Sequence, residues 1–102
     1  MKLQHYPVNK LKKDILNIVS KYLDLKECKI FFFGSRVKGQ NFDGSDIDIG
    51  IEGDQAISPE ISIIIKEELE KIPTLYKIDF IDFNQVSDRF KKEALKFSEP
   101  IN

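Results

Sequence analysis

The sequence contains few cysteines, few histidines and no long apolar run, and each shortage excludes a class of site or location. Its 102 residues include one cysteine, Cys28, and one histidine. An internal disulfide and a structural zinc site of Cys and His ligands are therefore excluded. The longest uninterrupted apolar run covers residues 30–33, which is far shorter than a membrane span or a signal-peptide core. We therefore expect a soluble, cytoplasmic protein with no membrane partner.

An excess of either charge is also lacking. Sixteen Lys and Arg against seventeen Asp and Glu leave a formal net charge of -1, so binding of nucleic acid through bulk positive charge is not expected. The length suits one compact domain over residues 1–102 and leaves little room for a large enclosed substrate pocket. A hydrophobic share of 41% and an aromatic share of 11% are typical of a globular protein with a packed core.

The spacing of apolar residues predicts the secondary structure. Three- and four-residue spacing predicts helices over about 8–23 and 59–72, and a last helix that starts at Ser87. In the last helix we expect four residues to face inward, namely Phe90, Ala94, Leu95 and Phe97, and Pro100 to close the chain. Short apolar segments predict strands over 28–33, 45–52 and 77–83, and residues 40–44 predict a turn. This order is typical of a small α/β sandwich with helices packed on one face of a sheet.

The first candidate site is Gly34-Ser35, which follows the first predicted strand. Glycine lets a ligand approach the backbone, and Ser35 offers a hydroxyl and an N–H group to phosphate oxygens. An ordinary strand-to-helix turn explains the same two residues and is the commoner case. Arg36 and Lys38 flank the turn, where they either neutralise a phosphate chain or lie in water.

The second candidate is the pair Asp46 and Asp48 on the second predicted strand. Residues two apart on a strand point to the same face, about 6.6 to 6.8 Å apart along it, so both carboxylates can approach one divalent cation such as Mg²⁺. A solvated strand face is the alternative. It is weakened because Asp is unfavourable in strands and like charges on one face repel each other.

A third carboxylate can come from Asp79 or Asp82 on the third predicted strand. The two residues are three apart, so they lie on opposite faces and at most one joins the acidic face of the second strand. Each face of this strand carries one Asp and two large apolar side chains, so periodicity leaves both open.

Together these motifs resemble the minimal nucleotidyltransferase family of the DNA polymerase beta-like nucleotidyltransferase superfamily. The resemblance rests on the sequences GSRVKG at 34–39, SDID at 45–48 and IDF at 78–80, and it covers nearly the whole chain. It implies a small polymerase beta-like fold, with a mixed sheet of about three to four strands and helices packed on one face.

The resemblance also implies residue roles. Gly34 and Ser35 match the pair that holds the β- and γ-phosphates, and Arg36 would bind the nucleotide beside them. Asp46 and Asp48 match the acids that bind two Mg²⁺ ions, and Asp79, not Asp82, matches the third carboxylate. The implied reaction is transfer of a nucleoside monophosphate to an acceptor hydroxyl. Nothing in the sequence recognises a base, so ATP is the default nucleoside triphosphate.

Minimal nucleotidyltransferases are often encoded with HEPN-domain toxins, and the resemblance therefore implies a HEPN-domain partner. The chain would act as the antitoxin and transfer AMP to a tyrosine of the toxin. Two alternatives are a non-catalytic antitoxin that neutralises its partner by occlusion and a regulatory domain that senses nucleotide. A small-molecule acceptor is less favoured, because a domain of this size offers no deep pocket.

Overall fold

The computed structural model describes residues 1, 3–39 and 46–102. The elements in these ranges are α1 (Val8–Val19), β1 (Cys28–Phe33), α2 (Ser35–Lys38), β2 (Ile47–Gly53), α3 (Pro59–Glu70), β3 (Ile78–Asp82), α4 (Asp88–Ala94) and β4 (Ser98–Pro100). Among the described helices, none has the length and apolar character needed to cross a membrane. The predicted turn at 40–44 and the first residue of the predicted second strand, Ser45, lie outside the described residues.

Two helices begin at serine caps that the sequence pattern indicates. The Ser58 hydroxyl accepts a hydrogen bond of 3.3 Å from the N–H of Ile61, and Pro59 occupies the first helical position of α3. The Ser87 hydroxyl accepts a hydrogen bond of 3.1 Å from the N–H of Phe90 at the start of α4. Each cap satisfies an N–H group that has no partner within its helix.

The four strands form one mixed sheet in the order β3-β2-β1-β4. Strand β1 runs antiparallel to β2 and β4, whereas β2 and β3 are parallel. The mixed α/β sheet expected from the sequence is therefore confirmed. In this topology the carboxyl end of β1 lies beside the amino ends of β2 and β3, at the same end of the strands.

The two faces of the sheet have different cores. Alternation along β2 turns three buried isoleucines toward helices α1 and α3, whose buried residues complete the main core: Ile47, Ile49, Ile51, Leu11, Ile15, Ile65 and Leu69. The opposite face carries a smaller cluster of Phe31, Phe33 and Phe83. The ring of Phe83 lies 4.9 Å from that of Phe31 and 5.1 Å from that of Phe33, edge to face in both cases.

Three local expectations were wrong. Helix α1 ends at Val19, so the prediction to residue 23 was too long. The side chains of Phe90, Leu95 and Phe97 are 42%, 38% and 43% exposed, because α4 is only seven residues long and lies on the aromatic face rather than over the main core. The chain then adds β4, in which Pro100 pairs with β1 instead of simply ending the structure.

Candidate functional site

Three of the predicted acidic residues lie together where β1 ends and β2 and β3 begin. Asp48 and Asp79 are direct neighbours across the parallel pair β2 and β3, so their side chains share a face on strands about 4.8 Å apart. Asp46 precedes Asp48 by two residues, and its proximity adds to burial, the main cause, in raising the pKa of Asp79. The topology therefore brings Asp46, Asp48 and Asp79 together at one end of the strands.

This cluster raises the affinity of its own members for protons. Burial raises the pKa of Asp48 from 3.8 to about 6, and the negative charges of Asp79 and Asp46 add to this effect. Burial and the proximity of Asp46 raise the pKa of Asp79, against the opposing charge of Lys77. The cluster is therefore a place where a positive charge is stabilised.

The turn after β1 lies directly against this cluster. Gly34 has a φ of +88°, and a Cβ atom placed there would lie 2.6 Å from Oδ2 of Asp48. Phe33, the residue before it, pairs with Asp48 across the sheet. Only glycine allows this backbone conformation and this approach. Ser35 follows as the first residue of α2, with its side chain exposed to solvent.

Arg36 does not extend into solvent, as a simple phosphate-binding side chain would. Its side chain is only 5% exposed, and its guanidinium carbon lies 4.4 Å from the centre of the Tyr76 ring. The Tyr76 hydroxyl accepts hydrogen bonds from the N–H groups of Gln4 and His5. Arg36 thus links the Gly34 turn to the segment that leads into β3, and its binding of a nucleotide stays a prediction.

Tyr76 was missed by the sequence reasoning. An aromatic residue three positions before Asp79 is the only sequence signal for it. Lys38 follows Arg36 by two residues and is exposed. Its Nζ atom lies 5.2 Å from the centre of the Phe97 ring.

Asp82 lies on the face of β3 opposite to Asp79 and has a structural role. Its carboxylate accepts hydrogen bonds from the N–H of Ile57 at 2.8 Å, the N–H of Asn84 at 2.9 Å and the side-chain amide of Gln85 at 3.0 Å. The bond from Ile57 ties the end of β3 to the chain between β2 and α3, and the other two hold the turn that follows β3. Of the two acids that periodicity left open, Asp79 is the one beside Asp48.

The donor chemistry of the cluster suits a hard divalent cation, since its three carboxylates supply only oxygen ligands. Burial is the main cause of the raised pKa of Asp48, and a cation would relieve the repulsion from Asp79 and Asp46 that adds to it. As the side chains stand, no three acidic, imidazole or thiol groups of the described ranges form a ready metal-binding group. The residues therefore fit a divalent cation by donor chemistry, whereas their present side-chain positions do not form a site for it.

The comparison with protein families gives one match along the chain. The model described as "Polymerase beta, Nucleotidyltransferase" matches residues 10–101. The matched range contains the Gly34 turn and all three clustered acids. No curated protein matches the sequence.

Solved structures with the same fold come from toxin–antitoxin complexes. The chain is similar to one in a toxin–antitoxin crystal structure with AMP-PNP, with a TM-score of 0.73 and 18% identity over 89% of this chain and 72% of that one. It is similar to a chain in the complex of a tri-AMPylated Shewanella oneidensis HEPN toxin with its MNT antitoxin, with a TM-score of 0.69 and 15% identity over 91% and 70% of the two chains.

A third similar structure is a mutant MntA–HpeT toxin–antitoxin complex, with a TM-score of 0.73 and 15% identity over 89% of this chain and 72% of that one. At these identities the likeness establishes a shared fold. The family model covers far more than half of the sequence, and the chain therefore belongs to the polymerase beta nucleotidyltransferase family.

Proposed function

We propose that this chain is a Mg²⁺-dependent nucleotidyltransferase that transfers AMP from ATP to a hydroxyl group of a protein partner. The observation that carries the proposal is the pairing of Asp48 with Asp79 across β2 and β3, directly beside the Gly34 turn. Membership of the nucleotidyltransferase family supports the reaction class. In this proposal the chain acts in the cytoplasm as a single minimal nucleotidyltransferase domain.

The reaction assigns a role to each group of the carboxylate cluster and of the Gly34 turn. The acceptor oxygen forms a new bond to the α-phosphorus, the bond from that phosphorus to the oxygen bridging to the β-phosphate breaks, and pyrophosphate leaves with the electron pair. Asp79 accepts the proton of the acceptor hydroxyl as the general base, and its position beside Asp48 suits that task. Gly34 and Ser35 hold the β- and γ-phosphates, with Arg36 beside them.

Asp46 and Asp48 would hold two Mg²⁺ ions, with Asp79 as a further ligand. When bound, such ions increase the acidity of the acceptor hydroxyl and neutralise charge on the departing pyrophosphate. The contribution of the protein is then mainly the position of the carboxylates and of the backbone at Gly34.

The partner we propose is a HEPN-domain toxin that accepts AMP on a tyrosine, with this chain as its antitoxin. Support comes from the similar structures: one complex contains AMP-PNP, and another contains an AMPylated HEPN toxin with its MNT antitoxin. The alternative is an antitoxin that neutralises the toxin by occlusion, without catalysis.

The test is transfer of label from α-³²P-ATP to a HEPN-domain partner in the presence of Mg²⁺. Asp48→Asn removes one carboxylate charge from the cluster, and Glu52→Gln is the matched control on the same face of β2, four residues farther along. We expect label on the partner with wild type and with Glu52→Gln, and a loss of about a hundredfold or more with Asp48→Asn. Equal labelling by Asp48→Asn would contradict the proposal. Full neutralisation of the toxin by an Asp48→Asn variant, with no label transferred by wild type, would support occlusion.

A further inference from the structure

Strand β3 is an edge strand of the sheet, and among the described strands it pairs with β2 alone. Its outer side is called the open edge. The N–H of Ile47 bonds to the carbonyl of Lys77, and the N–H of Phe83 bonds to the carbonyl of Ile51, both at 2.8 Å. Because backbone groups alternate along a strand, this register turns those of Ile78 and Phe80 away from β2. Within the ranges that the structure describes, these outward groups bond to no other backbone group. They are available to a further strand.

The other edge of the sheet is protected, and β3 is not. Strand β4 has three residues, and the bond of 2.8 Å from the N–H of Ile101 to the carbonyl of Ile30 sets Pro100 at the outward position. Proline has no N–H to offer at that position. Short edge strands and proline are common ways to prevent unwanted strand pairing. Strand β3 has five residues and no proline, so its edge is open to pairing.

A groove runs along this open edge, between β3 and α3. One cavity of about 510 Å³ is lined by residues 76–81 and by α3 residues that include Lys66 and Leu69. A second cavity of about 250 Å³ continues past Phe80 to Asp82, and Lys66 lines both. The first cavity includes Asp79. The groove therefore reaches the proposed catalytic cluster.

An added strand would place its side chains in two different surroundings. It would lie about 4.8 Å from β3, with successive side chains on opposite faces of the sheet. One set would enter the groove beneath α3, whose wall includes Leu69 and Ile72. The other set would lie on the face of Asp79, beside the carboxylate cluster. A hydroxyl residue there would have its two neighbours in the apolar groove.

Charge favours a peptide segment over a second copy of this chain. Lys66 is exposed and forms no ion pair with any described residue, so it can pair with a carboxylate of a bound segment. Two β3 strands paired edge to edge would instead bring together two sets of Asp79 and Asp82, and like charges on neighbouring strands repel each other.

We propose that the acceptor protein binds as an extended segment that adds a strand to the open edge of β3. The segment has a hydroxyl residue flanked on both sides by apolar residues, with an acidic residue near Lys66. This proposal rests on the proposed function, because it names the form in which the acceptor reaches Asp79.

One backbone position allows a specific test. Ile78→Pro removes an outward N–H and leaves the hydrogen bonds between β2 and β3 in place, since proline is tolerated at the first residue of an edge strand. Ile78→Ala is the matched control, because it loses a similar part of the side chain and keeps the N–H. Circular dichroism of both variants, compared with wild type, would verify that each is folded.

The probe is a library of short peptides with one fixed tyrosine and randomised flanking residues, selected on the immobilised wild-type chain without nucleotide. We expect enriched peptides to carry apolar residues next to the tyrosine and to protect the N–H groups of Ile78 and Phe80 from hydrogen exchange. Their affinity should be about tenfold or more lower for Ile78→Pro than for Ile78→Ala.

Three results would overturn the proposal: no enrichment, equal affinity for the two variants, or protection of these N–H groups that rises with the concentration of the chain alone, which would assign the edge to a second copy.

Failure of the proposed function is seen separately, by adding α-³²P-ATP and Mg²⁺. A bound peptide that acquires no label, together with an unlabelled HEPN partner, would contradict the proposed transfer and leave strand addition at β3 intact. A labelled HEPN partner whose labelling Ile78→Pro leaves unchanged would overturn strand addition alone.

Discussion

Gly34 is the residue whose replacement tests the turn most sharply. Alanine there would be strained at a φ of +88°, and its Cβ would displace the Asp48 carboxylate, which lies 2.6 Å from that position. We expect Gly34→Ala to lower the free energy of unfolding by about 1 to 2 kcal/mol and to abolish AMP transfer.

Gly39→Ala is the control for Gly34→Ala. Gly39 has a φ of +86°, but no described atom lies within 4 Å of a Cβ placed there. Denaturant unfolding should detect strain in both variants, whereas the transfer assay should detect a loss in Gly34→Ala alone. Similar activity in the two variants would contradict a role for the close approach of Gly34 to Asp48.

Asp48 should cost the protein stability at neutral pH. Its pKa of about 6 in the fold lies above its usual 3.8, so the folded state binds more protons between these values and stability falls as pH rises from about 4 to 6. Above pH 6 the ionised carboxylate remains unfavourable. With divalent cations removed by chelator, Asp48→Asn should therefore be more stable than wild type at pH 7.5, by about 1 kcal/mol after allowance for solvent screening.

The measurement for Asp48 is urea unfolding of both proteins at pH 4 and pH 7.5. The difference between them should be small at pH 4, where the carboxyl group of wild type is already protonated. A variant that is less stable than wild type at pH 7.5 would show that Asp48 stabilises the fold, contrary to this account.

At the same scale, the sequence identifies acidic residues better than it identifies their partners. The spacing of Asp46 and Asp48 is enough to predict a shared face. The choice between Asp79 and Asp82 requires the register of β2 against β3, which no local pattern contains. Arg36 is a similar case, because its burial depends on Tyr76, a residue forty positions away in the sequence.

Among the secondary-structure elements, β3 is held at its end by Asp82. Asp82→Asn keeps the size of the side chain, but its amide nitrogen cannot accept the hydrogen bond that the N–H of Ile57 donates to Oδ2. We expect a loss of about 1 to 2 kcal/mol in the free energy of unfolding and faster hydrogen exchange at Ile57. Nucleotide transfer should persist, because Asp82 lies on the opposite face from Asp79. Loss of transfer in a variant that is still folded would place Asp82 in the site.

The elements that the sequence predicts well are those with a strong period. Helix α3 and strand β1 follow the expected bounds closely, since a serine cap and a glycine after a buried apolar run mark their ends. Strand β4 has three residues and contains Pro100. It exists because β1 offers it backbone partners, and only the tertiary fold supplies them.

For the whole molecule, strand order creates the site. Strand β2 lies between an antiparallel β1 and a parallel β3. This order brings Gly34, Asp48 and Asp79 together at one end of the strands, although these three residues are far apart in the sequence. The sequence alone suggests this arrangement only through the resemblance of three separated motifs to one family. Composition and periodicity give the layers of the fold and leave the strand order open.

The central claim is that the three carboxylates act together as one site for a divalent cation and a nucleoside triphosphate. The most direct measurement is binding of Mn²⁺, as a spectroscopic substitute for Mg²⁺, by electron paramagnetic resonance in the presence of AMP-PNP. We expect wild type and Glu52→Gln to bind Mn²⁺ with the nucleotide analogue, and Asp48→Asn to bind it about tenfold or more weakly. Equal Mn²⁺ binding by Asp48→Asn and wild type would contradict the claim.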